Sequence, residues 1–318
     1  MKFEKWQALG NDYLIVDERE LPFQLTPARV RALCRAHFGV GADGILLLSA
    51  PADPSRVARL RIHNPDGSEA ELSGNGAREA VLYLRRHRWT TRDTFTIETA
   101  AGDITPTITG PHSSRVDMGT ASLTSADYPA GAPDGCGRLR AGGRTWEFRH
   151  VSIGNPQCAI AVPDTAALAA LDLAALGPPI EAHPDFPNRT NVSWYAELEP
   201  RRIRARIFER GVGETLSSGT GATGAAIAHR LAADADAHAH AVASAAPPTA
   251  PSTTGAGAPR AGPGAGPPGA GPITVVLDGG ELEVEVGEDL HVHLTGWARP
   301  VFAGRLHEEL IEELRQMR

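Results

Sequence analysis

Apolar residues recur along this chain in two rhythms, alternation typical of strands and spacing of three to four typical of helices. The opening FEKWQALGNDYLIVDE reads as two short strands around a Gly10-Asn11 turn, and TPARVRALCRAHFG follows with helical spacing and Thr26 as a cap. ILLLSA, ARLRIHN and TFTIETAAG read as strands, AREAVLYLRRH as a helix. The second half repeats the recipe. WEFRHVSIGN and CAIAVPD predict strands, AALAALDLAAL a helix, NVSWYAEL and RIRARIFER strands, and GATGAAIAHRLAA a helix. TVVLDGGELEVEV predicts a hairpin with Asp278-Gly279-Gly280 at its tip, because glycine supplies the positive φ such turns need. Residues 233 to 272 are almost wholly Ala, Gly, Pro, Ser and Thr and cannot bury enough apolar surface to offset ordering entropy, so a disordered insert is expected there. His238 and His240 within it lack further good metal ligands nearby.

Composition narrows the function classes. At 318 residues, 42% of them hydrophobic, the chain exceeds the usual single-domain size and predicts two domains. A net charge of −7 and the absence of any Lys/Arg run argue against nucleic acid and anionic membrane surfaces as partners. The N-terminus has no long apolar run or cleavage site, and no stretch of about 18 apolar residues occurs, so a soluble cytoplasmic protein is expected. Cys34, Cys136 and Cys158 fit neither a disulfide framework nor a C-x-x-C metal site, and no metal centre is expected. The only lysines are Lys2 and Lys5, which disfavours a pyridoxal phosphate enzyme, and no cofactor is expected.

One turn occurs twice. Residues 72 to 79 read LSGNGARE and residues 217 to 224 read SSGTGATG, with Ser73 and Ser218 in register. Glu69 and Glu214 precede the serines by four residues; Gly74/Gly219, Gly76/Gly221 and Ala77/Ala222 follow them, and Arg85/Arg230 lie twelve residues on. The shared pattern argues for an internal duplication that presents two helix starts to one site. Glycines let backbone approach a ligand, and the first amides of a helix are free donors with partial positive charge, so each turn suits a carboxylate. A cysteine there would be biased toward thiolate and become a competent base, and two bases on opposite faces of a carbon atom can invert it. Taken singly, either turn is equally a serine near a helix cap. GVGADG and GTGATG also fit a dinucleotide-binding string, but the first follows a helix and the second lacks the strand spacing and downstream acid such a site needs.

ALGNDYLIVD, FGVGADGILLL, RIHNPDGSEAELSGNGARE, SIGNPQC, RTNV, ERGVGETLSSGTGA and LTGWARPVFAG together resemble the diaminopimelate epimerase family, in order and over nearly the whole chain. The resemblance implies an α/β (α+β) fold of two pseudo-symmetric domains, each a curved, mainly antiparallel sheet around a central helix: 1–118 with a returning segment 295–318, and 119–294. It also implies a homodimer that interconverts LL- and meso-diaminopimelate without pyridoxal phosphate, in lysine and peptidoglycan precursor synthesis. In that family both turns carry cysteines that exchange a proton across the α-carbon; here the matching positions are Ser73 and Ser218. Gln157, where the family commonly has histidine, is a second departure. Matched motif to motif, Asn11, Asn64, Asn75, Asn155 and Asn191 would bind substrate polar groups, with Glu209 and Arg210 at its distal end. The amides of Gly74, Asn75, Gly219 and Thr220 would hold the α-carboxylate, and Glu69 is expected to be structural. Serine is far less acidic than cysteine and has no neighbouring histidine in sequence, so ordinary two-thiol chemistry is closed to this chain. Two alternatives stay open: a related proline or hydroxyproline racemase or dehydratase, and a non-catalytic amino-acid binder.

Overall fold

Strand pairing divides the chain into two sheets that share one core. The computed structural model describes residues 1–70, 73–245 and 271–317. The first sheet is laid down by β1 (Lys2–Ala8), β2 (Asn11–Asp17), β3 (Ile45–Ser49), β4 (Arg59–His63), β5 (Glu69–Ala70), β6 (Ile97–Thr99) and β7 (Gly102–Ile104). Helix α1 (Pro27–Cys34) precedes β3 and helix α2 (Gly74–Arg86) precedes β6. The second sheet takes β8 (Thr107–Gly110), β9 (Ser113–Thr120), β10 (Cys136–Ala141), β11 (Arg144–Ser152) and β12 (Pro156–Ala161). After α3 (Thr165–Ala169) and α4 (Leu173–Glu181) it adds β13 (Asn191–Glu199), β14 (Arg202–Glu209) and β15 (Gly213–Thr215). Helix α5 (Gly219–Ala245) then leads to β16 (Ile273–Leu277), β17 (Gly280–Val286) and β18 (His291–Trp297). The chain crosses back to the first sheet as β19 (Arg299–Arg305), which pairs with β1, and ends in α6 (Glu308–Gln316).

Most pairings are antiparallel, with β2/β3, β4/β6, β12/β13 and β14/β16 parallel. Alternation decides which layer each side chain joins. Tyr13 and Ile15 of β2 and Leu46 and Leu48 of β3 face the central core, while Leu14, Val16, Ile45 and Leu47 face α1 and α6 on the other side. The continuous apolar run ILLL is therefore a strand covered on both faces. The central core joins both halves: Trp6, Leu46 and Ala80 belong to the same cluster as Ala225, Ile227, Leu282 and Leu294. Residues Asn75–Leu82 of α2 are all buried, and Ala222 and Gly224–Ala228 of α5 are buried as well, so each helix is encased rather than laid on a surface. The small residues of GATGAAIA let strands approach α5 closely.

Four sequence expectations need correction. The β1/β2 turn is Leu9-Gly10, with φ of 53° and 85°, because Ala8 pairs with Asn11. AALAALDLAAL is two helices rather than one, since Asp172 caps α4 by accepting the Ala175 amide and interrupts the run. Helix α5 continues through residues 233–245, the first part of the stretch expected to be disordered; an alanine-rich sequence extends a helix already nucleated by buried residues. Residues 246–270 of that stretch lie outside the described residues. Sheet membership changes between Ile104 and Thr107 and again at Ala298, so β9 and β18 both lie in the second sheet. Long-range strand pairing sets those changes, and the local pattern does not carry it.

Candidate active site

The two serines cap their helices in the same way. Ser73 Oγ accepts the Gly76 amide at 3.1 Å and its carbonyl accepts the Ala77 amide at 2.8 Å. Ser218 Oγ accepts the Gly221 amide at 3.2 Å and its carbonyl accepts the Ala222 amide at 3.0 Å. Such a cap stabilises a helix by about 1 kcal/mol. The repeat extends into the preceding hairpins, where Arg61 pairs with Glu69 at 2.7 Å and Arg206 with Glu214 at 2.7 Å. Each of these positions is offset by the same 145 residues as the serines (206 − 61 = 214 − 69 = 218 − 73). Glu69 is thus engaged in its hairpin, as expected of a structural residue.

Gly76 and Gly221 have a different role from the one expected. A Cβ on Gly76 would lie 2.9 Å from Leu46 Cδ2, and one on Gly221 would lie 2.8 Å from Ile207 Cδ1, so these glycines let each helix press onto its sheet. Ligand-facing backbone comes one turn earlier. The amides of Gly74, Asn75, Gly219 and Thr220 precede the first intrahelical bonds and meet no acceptor among the described residues.

Asn75 ties the first helix start to the second. Its Nδ2 donates to Asn11 Oδ1 at 3.2 Å and to Ser217 Oγ at 3.2 Å, and Asn11 Nδ2 donates in turn to Asp43 at 3.0 Å. Asn75 Oδ1 accepts from the Arg78 guanidinium, which is fully buried. Arg78 fits because Gly296 leaves space for it: a Cβ there would sit 2.9 Å from Arg78 Nε. Burial pulls the Arg78 pKa down to about 10 and lifts that of its neighbour Glu79 well above the carboxylate range, with Arg78 opposing the latter shift. Tyr13, two residues after Asn11 and on the same strand face, donates its hydroxyl to Ser73 Oγ at 3.3 Å. Burial pushes its pKa up to about 12, so it stays a donor.

The second helix start has its own shell. Gln157 Nε2 donates to Asn155 Oδ1 at 2.7 Å, and Asn155 Nδ2 donates to Thr220 Oγ1 at 3.3 Å. Asn191 Oδ1 accepts the Arg210 amide at 2.7 Å, while Arg210 Nη1 donates to the Asn188 carbonyl at 2.7 Å. Burial raises the Glu209 pKa, and a hydrogen bond from Ser218 partly offsets it. The two serines therefore differ in their partners, a neutral phenol for Ser73 and a carboxyl for Ser218.

Asn11, Asn75 and Tyr13 gather at the start of α2; Asn155 and Thr220 are bonded at the start of α5, Glu209 stands beside Ser218, and Asn191 and Arg210 are bonded to each other. Asn64 is different: its side chain donates to Ser68 at 2.9 Å within the turn between β4 and β5 and touches no other candidate residue among the described contacts. Sequence reading missed Tyr13, Ser217 and Arg78. The spacing of Tyr13 from Asn11 on one strand face was a usable signal; nothing local marks an arginine in an amphipathic helix as buried. Ser218 and Asn75 are only 3% and 8% exposed, whereas Ser73, Gly74, Gly219 and Thr220 are partly exposed.

A family model described as diaminopimelate epimerase matches residues 3–124 and 149–246. The diaminopimelate epimerase of Synechococcus sp. (strain JA-3-3Ab) is 37% identical over 316 residues, covering 97% of this chain and 99% of that protein. That of Thioalkalivibrio sulfidiphilus is 40% identical over 234 residues, covering 73% and 83%. Among solved structures, a PhzF-family phenazine biosynthesis protein of Bacillus anthracis superposes with a TM-score of 0.57 at 14% identity, covering 96% of this chain and 99% of that one, a likeness of fold.

Proposed function

Because the chain belongs to the diaminopimelate epimerase family, we propose that it binds diaminopimelate between the starts of α2 and α5 and acts at the α-carbon held there. The observation that carries this is the pair of serine-capped helix starts with free amides at Gly74, Asn75, Gly219 and Thr220, joined by the Asn75–Ser217 hydrogen bond. An α-carboxylate is the anion such donors suit, and its capture between two helices leaves Ser73 and Ser218 on either side of the adjoining carbon. Asn11, Asn155 and Asn191 line the same shell and Arg210 meets the distal carboxylate, while Glu209 stands beside Ser218 rather than at the distal ammonium and Asn64 stays in its turn.

Inversion requires an α-proton to leave on one face and return on the other. A thiol, with an ordinary pKa near about 8.5, needs only a modest helix-terminus shift to serve as base. A serine hydroxyl needs far more. Neither Tyr13, held neutral, nor the single carboxyl of Glu209 supplies a matched pair of bases. The protein therefore binds diaminopimelate and, with serines at both positions, exchanges its α-proton slowly for an epimerase of this family. Proton-to-deuterium exchange at the α-carbon, followed for this protein beside the Ser73→Cys, Ser218→Cys double variant, tests this; exchange by neither form, with no binding in calorimetry, overturns the substrate.

A reaction without pyridoxal phosphate is supported by the lysines, since Lys5 is engaged by Asp12 at 2.9 Å and Lys2 by Glu20 at 3.3 Å. The protein works as a cytoplasmic homodimer. No described helix is long and apolar enough to cross a membrane, and Val301 and Phe302, 55% and 45% exposed on edge strand β19, offer an apolar surface for a partner copy.

A further inference from the structure

Asp117, His291 and His293 converge on the outer face of the second sheet, where β9 and β18 pair antiparallel. His293 lies opposite Asp117 and His291 opposite Thr120; Met118 is the extra residue of a bulge between them. Bulges re-aim side chains, and this one does so through Gly119, whose φ of 79° suits glycine. The Gly119 amide donates to Asp117 Oδ1 at 2.8 Å, and the same oxygen lies 2.9 Å from His291 Nε2. His291 Nδ1 is 3.3 Å from Thr120 Oγ1, and the His291 and His293 rings meet with centroids 5.1 Å apart. One nitrogen of each histidine and one carboxylate oxygen of Asp117 all lie within 4.8 Å of one another.

Two imidazoles and a carboxylate form a donor set suited to late first-row divalent ions rather than to Mg²⁺ or Ca²⁺, which take oxygen. Tetrahedral Zn²⁺ with bonds of about 2.0–2.1 Å to nitrogen and oxygen needs donors some 3.3 Å apart, so small rotamer changes of exposed rings suffice. The donors stand on paired strands, and Asp117 is already fixed by a backbone amide, which limits the ordering cost. Glu285, on the other side of His293, is held at 2.7 Å by Arg115 and leaves the fourth position to water.

We propose that Asp117, His291 and His293 form a Zn²⁺-class cation site that cross-links β9 to β18 just before the chain returns to the first sheet. It shares no residue with the serine pair and stands independently of the proposed substrate. The test is calorimetric titration of Zn²⁺ into the untagged full chain after chelator treatment, with Co²⁺ absorption reporting geometry. One saturable equivalent is expected, with a Zn²⁺-dependent rise in melting temperature. His291→Ala, His293→Ala and the size-conserving Asp117→Asn each weaken binding by about tenfold or more, while a His238→Ala, His240→Ala double variant leaves it unchanged. Absence of saturable binding, or binding that survives loss of His291 and His293, overturns the site.

Discussion

The Asn75 side-chain amide donates to Ser217 Oγ at 3.2 Å, so a residue of the first repeat is bonded directly to the neighbour of Ser218 in the second. Its other end accepts from buried Arg78. Asn75→Ala should therefore destabilise the protein by about 1–3 kcal/mol in urea unfolding, since it strips a partner from a buried cation. It should also weaken diaminopimelate binding in calorimetry. A variant with native stability and affinity would show that the bridge contributes to neither.

The two serines have unlike partners, which makes the single cysteine variants informative. Ser73→Cys and Ser218→Cys each place one thiol on one face of the carbon. Each should speed deuterium uptake from one stereoisomer over the other, and only the double variant should interconvert them rapidly. Equal exchange of both isomers by a single variant would mean that one group reaches both faces.

Glu79 gives a pH signature. Burial raises its folded-state pKa well above the ordinary carboxylate value, so the folded protein holds a proton that the unfolded chain releases above about pH 4.3. Stability from this group is full below that pH and falls by about 1.4 kcal/mol per unit as pH rises toward the folded pKa. Glu79→Gln, neutral throughout, should remove that slope, and denaturant midpoints from pH 5 to 8 would show it. Parallel profiles for both proteins would mean Glu79 is ionised in the fold.

Gly296 is confined by Leu282 Cδ2 at 2.5 Å and Arg78 Nε at 2.9 Å from its missing Cβ. Gly296→Ala should cost about 1–3 kcal/mol by overpacking and, by shifting Arg78, should loosen Asn75 and weaken substrate binding as well. A purely structural effect would lower the melting temperature with affinity unchanged.

The proposed homodimer is tested by light scattering: the protein should have the mass of two chains, and Phe302→Asp on edge strand β19 should give the mass of one. A dimer of undiminished mass would place the contact elsewhere.

Much of the fold was legible because its signals are local. ILLLSA reads as a strand, Thr26 as a helix cap, and the repeated Ser-Gly-x-Gly turns as the two helix starts. What escaped was set at long range. Nothing near Ser113–Thr120 shows that it pairs with β18, 170 and more residues on, and nothing near Gly279 shows that a Cβ there would strike the Leu9 carbonyl at 1.8 Å, so space rather than φ selects that glycine. Both serines and the asparagines bonded around them stand in motifs that can be read locally, while the contacts of Tyr13 with Ser73 and of Arg78 with Asn75 arise only once distant strands enclose them.

The matching Arg61–Glu69 and Arg206–Glu214 pairs and serine caps carry a consequence about ancestry. A lone half would bare one side of its encased helix and could cover it only with another copy of itself. Before the copies were fused into one polypeptide, the site would have lain on the axis between identical partners, with equal groups on both sides by symmetry. Fusion freed each side to change separately, and the phenol beside Ser73 and the carboxyl beside Ser218 record that divergence.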